Sequence, residues 1–428
     1  MQHLWSLFCK TLCLSLLLCL SFLSIGAELT DLYQAEVDAN QSQSQWQQAA
    51  VSAVLVKLTG GEQILSNPAV TKAIRSSSDF IKQYQMIQRD GRNLLQVSLD
   101  QQKVTSLLQQ LQIPIWGSRR PDVLLWITEK TLEQPQLVVL ANHPLRNALT
   151  AQAQTYGLSY LYPRYDEQEL ALIDPVALWS GDWSGLSVVS PAYQATQVFN
   201  LLLEQQVDMT GQLLFRLTSQ SIVDGTVQQE EFNGADAENL LLQFSQKLAT
   251  AQAAKYAVNV QTSAVVGDSL VFTLDGINNL ADVVSVQKIF SSMLTVREQQ
   301  LVGFQSGQAM IRLTFAATEL DFYRALALEK QLQPVFDVEP QSAQGLAEGE
   351  LGKNNALNQV ATEQTSNNIS VIPEISAAEQ ALEAALNDGV VHSKPETVAD
   401  EVEEAPPIFA PASPAIAPGH THFKFVRP

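Results

Sequence analysis

The stretch that most constrains the fold is residues 111–128, Leu-Gln-Ile-Pro-Ile-Trp-Gly-Ser-Arg-Arg-Pro-Asp-Val-Leu-Leu-Trp-Ile-Thr. Pro114 and Pro121 fix φ and disfavour helix in the residue before each, so the chain runs extended through this joint. The near-continuous apolar run from Val123 to Ile127 then lacks the alternation of a half-exposed strand and reads as a central strand buried on both faces. Two of the six tryptophans, Trp116 and Trp126, lie here with the pair Arg119 and Arg120. A guanidinium can clamp a carboxylate or phosphate. Beside Trp116, it can equally pair with an acid such as Asp122 or cap carbonyls where two units meet. Trp116, Gly117, Arg120, Pro121 and Trp126 therefore read as a structural signature, with no catalytic role.

Upstream of the joint, residues 28–130 read as an N-terminal α+β domain. A strand is expected at Asp31 to Val37, then a helix from Gln43 to Leu58. Trp46, Ala49, Ala50 and Ala53 form one apolar stripe on that helix, and Val51, Val54, Leu55 and Leu58 form another, so two of its sides should be covered. Gly60-Gly61 ends it. A short helix opens at Asn67-Pro68, a hairpin turns at Asp90-Gly91, and Asp100 caps a helix leading to the joint.

Composition bounds the rest. With 428 residues and 46% hydrophobic side chains, the chain can bury several cores. Residues 1–27 have a weakly basic start, an apolar run from Leu12 to Ile25 and small residues at Ser24, Gly26 and Ala27, the layout of a cleaved signal peptide. That run is short of the ~20 residues a spanning helix needs. Cys9, Cys13 and Cys19 all lie within residues 1–27, so the mature chain would have neither disulfides nor cysteine metal sites. The formal charge of −19 argues against nucleic acid as a partner.

The segments Asp31-Leu32-Tyr33-Gln34-Ala35-Glu36-Val37, Leu55-Val56-Lys57-Leu58-Thr59-Gly60 and Pro114-Ile115-Trp116-Gly117-Ser118-Arg119-Arg120-Pro121 occur together. On them, over residues 29–336, the chain resembles the exported bacterial proteins of family 2066 of the domains of unknown function. The Trp-Gly-x-x-Arg-Pro element followed by Leu125-Trp126 is the most specific part. The resemblance implies an envelope protein and supplies no catalytic residues.

Residues 131–264 read as a middle α/β domain, with a strand at Leu137 to Ala141, a helix from Pro144 to Tyr156, a hairpin around Asp224-Gly225 and a long helix from Asp236 to Lys255. Thr196 to Glu204 reads as either a strand or a buried helix end. Residues 265–336 run strand, helix, strand, strand, helix, strand, the order of a ferredoxin-like βαββαβ unit. The fold class is thus α+β, as consecutive small α/β sandwich-like modules. Residues 337–428, with 14 acidic and 4 basic side chains, form an acidic Pro/Ala-rich tail expected to be disordered. Within it, Glu374 to Asp388 has an amphipathic helical pattern suited to folding on a partner. The terminal Phe423-Lys424-Phe425 segment alternates in a form suited to adding a strand to a partner's sheet.

The chemical inventory is thin. Between residues 28 and 336 the chain has one histidine, His143, at a helix start. Gly181-Asp182-Trp183-Ser184-Gly185 lacks the spacing of a nucleophile elbow. Neither a P-loop nor a dinucleotide-binding glycine pattern occurs, and the pair His420 and His422 does not define a metal site. Asp166, Glu167, Glu169, Asp174 and Asp182 lie near aromatic residues and are the candidates for glycosidase-type chemistry. The sequence favours a non-enzymatic periplasmic binding or adaptor protein for another envelope component, without cofactor or metal. The alternative is a carboxylate-based envelope hydrolase or carbohydrate-binding enzyme.

Overall fold

The computed structural model describes residues 32–260, 269–336 and 416–427, apart from residues 90, 132, 133, 208, 224 and 306. The expected signal peptide (residues 1–27), the expected helix at Glu374 to Asp388 and most of the acidic segment lie outside the described residues.

The first sheet has three antiparallel strands, in the order β1 (Gln34–Asp38), β3 (Arg92–Leu99) and β2 (Ile81–Arg89). Across it lies α1 (Gln43–Thr59), which buries Trp46, Ala50, Val51, Val54, Leu55, Val56 and Leu58, a set too wide for one face, as its two stripes require. Helix α2 (Pro68–Arg75) starts where Asn67 accepts from Ala69 N–H, and α3 (Gln101–Gln110) where Asp100 accepts from Gln102 and Lys103 N–H.

The second sheet is built on β4 (Asp122–Lys130), whose first seven residues are all buried. Its order is β5 (Gln136–Leu137), β4, β7 (Gln197–Val207), β8 (Leu213–Val223), β9 (Thr226–Gly234), and β6 (Ser159–Leu161) also pairs with β4. β4 runs parallel to β7 and β6, and β7, β8 and β9 are antiparallel. Thr196 to Glu204 is therefore a strand, and the strand expected at Leu137 to Ala141 shrinks to two residues. One face is covered by α4 (Pro144–Tyr156) and α8 (Ala237–Tyr256), the other by three short helices, α5 (Glu167–Leu172), α6 (Pro175–Trp179) and α7 (Ser184–Val189).

The expected boundary at residue 130 does not divide two cores. One apolar cluster runs from Leu32 through Trp46, Leu55, Trp116 and Leu125 to Phe244 and Tyr256. β4 belongs to the second sheet, because its parallel neighbours β6 and β7 come from downstream sequence. The joint passes between the ends of α1 and α8: Trp116 N–H donates to Leu58 O at 2.8 Å, and Ile115 bridges Val258. Gly60 closes α1 at φ +77°, and α8 approaches so closely that a Cβ there would lie 2.2 Å from Ala253 Cβ and 2.8 Å from Ala249 O.

The third sheet has the expected βαββαβ elements, β10 (Ser269–Asp275), α9 (Leu280–Ser291), β11 (Val296–Gln305), β12 (Gln308–Phe315), α10 (Glu319–Leu326) and β13 (Leu332–Pro334). It also has a fifth strand. β14 (His422–Phe425) comes from the end of the chain and lies between β10 and β13, giving the order β11-β12-β10-β14-β13. It is parallel to β10 and antiparallel to β13. Phe423 and Phe425 are buried with Phe272 and Phe322, and each fully covered phenylalanine contributes roughly 1.5–3 kcal/mol. The acidic tail therefore does not run free to its end: residues 416–427 are part of the fold.

Gly60→Ala should lower the unfolding free energy by about 2–5 kcal/mol, because it adds both a left-handed penalty and an overlap with α8; denaturant titration measures this. The end of the chain also carries a pH signature. Asp282, near the start of α9, accepts from Arg427 Nε at 2.9 Å and Nη2 at 2.6 Å, and chiefly this contact draws its carboxyl pKa from 3.8 to about 2. A carboxylate depressed in the folded state stabilises fully above its unfolded pKa and loses that contribution as pH falls through the folded one. The amide shifts of Phe425 and Arg427 should thus hold steady from neutral pH to about 3 and move as the pH falls through about 2.

Candidate functional site

At the joint each charged side chain is tied to a different part of the fold. The Arg120 guanidinium lies 3.4 Å from the Trp116 ring centroid, and its Nη2 donates to Lys57 O at 2.9 Å and Trp116 O at 3.0 Å. It is buried, no carboxylate reaches it among the described residues, and Nε and Nη1 make no hydrogen bond there. Burial presses its pKa downward, with the nearby Tyr33 opposing; a guanidinium starts high enough to remain charged at neutral pH. Stacking on an indole away from water contributes about 2 kcal/mol.

Arg119 points the other way, to Glu329 at 2.9 Å, the hydroxyl of Ser292 at 2.9 Å and Ile289 O at 3.0 Å, all in the βαββαβ module. Asp122 is paired with neither arginine. It accepts from Ser159 at 2.6 Å and from Lys330 at 2.5 Å. Gly117 has only Leu294 near its missing Cβ, and the crevice beside it is about 30 Å³, room for little more than a water. Pro121 is buried as the chain enters β4. The joint is a clamp.

The larger opening lies on the other face of the second sheet. Trp126 projects there with Leu124, meets Tyr165 edge-on at 5.5 Å and donates from Nε1 to the Ser190 hydroxyl at 3.1 Å. Beside Ser190, a cavity of about 450 Å³ opens between α7 and the start of β7 and end of β8. Trp183, Leu186, Ser187, Ala195, Val198 and Ile222 supply most of its character, with Ser, Thr and Gln side chains between them. Its lining contains no Asp, Glu, His, Lys, Arg, Cys or Tyr. Gln194, at φ +49°, turns the chain past it, and Thr196 N–H donates to Asp122 O at 2.9 Å, anchoring that turn to β4. The cavity can hold an uncharged, largely apolar group and has no side chain able to exchange a proton near neutral pH.

The carboxylates proposed for glycosidic chemistry are employed elsewhere. Asp166, Asp174 and Asp182 each accept a backbone N–H at the start of a short helix, from Glu169 at 3.0 Å, Val176 at 2.9 Å and Ser184 at 2.8 Å. The Ser184 contact holds the Asp182 carboxyl below its ordinary pKa. Glu169 is buried, accepting from Tyr165 N–H at 2.6 Å and from the Tyr193 hydroxyl, and Glu167 is exposed. His143 caps α4 through Leu145 N–H and lies 3.4 Å from Glu129. Among the described residues, no group of three or more His, Cys, Asp or Glu is placed to hold a metal, and no helix is long and apolar enough to cross a membrane.

The expected partner-binding trio is divided by strand alternation. Phe423 and Phe425 are buried in their own module and only Lys424 is exposed, so the segment adds its strand to this chain's sheet instead of a partner's. The cavity had no counterpart in the sequence reading. Its trace is the eight-residue spacing of Asp166, Asp174 and Asp182, which looks like a carboxylate cluster and marks three helix starts beside Trp179 and Trp183.

A family model described as a domain of unknown function (DUF8605) matches residues 26–117. It spans β1 to α3 and ends on Gly117 of the joint. No curated protein and no solved structure matches the chain. The resemblance to family 2066 over residues 29–336 is overturned: the match is to a different family and covers the N-terminal unit alone, with no link to exported bacterial proteins. The motif that carried the resemblance is set by packing. In this chain it places an indole stacked on a buried arginine between two prolines.

Arg120→Ala should destabilise the chain by about 3–5 kcal/mol in denaturant titration, since it removes a large buried side chain together with its hydrogen bonds to Lys57 O and Trp116 O. Arg119→Ala should mainly accelerate hydrogen exchange around Ile289 and Ser292. Full stability of Arg120→Ala together with loss of a bound ligand would instead make the arginine a binding group.

Proposed function

We propose that this is a periplasmic, non-catalytic binding protein of the cell envelope that uses the cavity beside α7 to hold an apolar portion of another envelope component. The observation that carries the reading is the lining itself. About 450 Å³ of mostly apolar space is bounded by side chains none of which titrates near neutral pH, the character of a pocket that recognises shape and apolar surface. Acid–base catalysis needs a titratable group within reach of the reacting atoms. The hydrolase alternative would need the Asp166 to Asp182 carboxylates there, and they are held at helix starts.

Location rests on the leader-like residues 1–27. Exposed apolar side chains on edge strands, such as Leu301, Val302 and Phe304 of β11, suit a role in assembly.

Ser187 is an exposed residue on the rim, so Ser187→Trp should fill the opening while leaving the melting temperature within a few degrees of wild type. Crosslinking and mass spectrometry on envelopes expressing wild type should recover a specific component, and recovery should fall at least about tenfold with Ser187→Trp. Equal recovery by both chains would remove the cavity from the function.

A further inference from the structure

In a βαββαβ module the first and last strands ordinarily lie side by side. Here β14 holds β10 and β13 two strand spacings apart, about 9.6 Å. The place it occupies is shaped for an extended segment. Gly276 follows β10 at φ +81°, and a Cβ there would lie 2.7 Å from the carbonyl oxygen of Phe425, so main chain passes directly against main chain. Backbone bonds hold the segment on both sides: Thr273 N–H donates to Thr421 O at 2.8 Å, Val335 N–H to His422 O at 3.0 Å and Val426 N–H to Gln331 O at 2.8 Å.

Side chains are read at alternate positions. Phe423 and Phe425 enter the core, and Phe423 lies 6.1 Å from Phe272. Lys424 between them is exposed. Asp282 takes Arg427 at two points, Asp275 lies 2.9 Å from His422, and the Tyr323 hydroxyl donates to His420 O at 2.8 Å. Ladders on both sides, alternating pockets and a terminal charge pair are the features by which sheets recognise extended peptides.

Chain connectivity does not dictate this placement. Antiparallel neighbours such as β13 and β14 can be joined by two to five residues. Here residues 337–415 intervene, enough chain to span on the order of 250 Å if extended.

We propose that the space between β10 and β13 is a strand-recognition site for segments of the pattern Phe-x-Phe-x-Arg. The chain's own β14 is its resident ligand, and the same segment of a second copy of this chain replaces it. This site is separate from the cavity beside α7 and stands or falls independently of it.

The test begins with the full chain carrying a specific protease site within residues 337–415, folded intact and then cut. The C-terminal fragment should co-elute with the remainder under native conditions. A fluorescent peptide of residues 416–428 should then replace it, with a Phe423→Ala/Phe425→Ala peptide binding about a hundredfold or more weakly and an Arg427→Glu peptide about tenfold more weakly. Concentration-dependent dimers of the uncut chain that the same peptide dissolves would also support the site, with a second copy as donor. A fragment that never exchanges, or one that leaves without the peptide taking its place, would overturn the proposal. So would equal binding of the wild-type and double-alanine peptides.

Discussion

Stacking of Arg120 on Trp116 is the contact on which the rest of the chain's geometry depends. A cation there has lost water and has no carboxylate within reach among the described residues; two carbonyl oxygens and an indole face replace the solvent. Such an arrangement survives only where the surroundings define it from several sides. Those surroundings are the end of α1, the loop after Gly157 and the joint itself. With Arg120 turned inward, its neighbour Arg119 faces outward to Glu329, and two consecutive residues of like charge grip opposite parts of the fold. Asp122 adds a third tie through Lys330.

That clamp explains why β4 is apolar from Val123 to Ile127. Its one face completes the core shared with α1, α4 and α8, and the other forms the floor under α5, α6 and α7. The two layers differ in character. Long helices with wide apolar stripes seal the first face, whereas the second is roofed by three helices of five or six residues, too short to close it completely. A cavity at the margin of such a roof follows from the geometry, and it falls at the N-terminal end of β7. Parallel sheets usually place ligands beyond the carboxyl ends of their strands.

Long periodic elements were legible in the sequence. The two stripes of α1, the Asp100 cap, the helix starts at Asn67 and Asp236, and the βαββαβ order each follow from local rules that tertiary context did not override. Membership of β4 in the second sheet was not legible, because pairing is decided by partners dozens of residues downstream. The short helices escaped because five or six residues give no period to detect, and the aspartates at their starts imitate catalytic carboxylates. Of the site residues, Trp116 and Arg120 stood out through rarity alone. Cavity residues such as Ser187 and Ala195 have no chemical distinction until the fold gathers them. Phe423 and Phe425 showed their strand pattern plainly, but the pattern names no sheet.

Placing the last strand of the chain inside the third sheet has a consequence for the order in which the molecule comes into being. During synthesis β10 emerges about 150 residues before His422, so α9, α10 and their strands are complete while a central position in their sheet is still vacant. Phe272 and Phe322 share their core with Phe423 and Phe425 only once residues 422–425 have been made. Long-range pairing of this kind is slow to form. Any product that stops before His422 therefore has one strand position of this sheet unfilled, and the core around Phe272 and Phe322 lacks two of its phenylalanines.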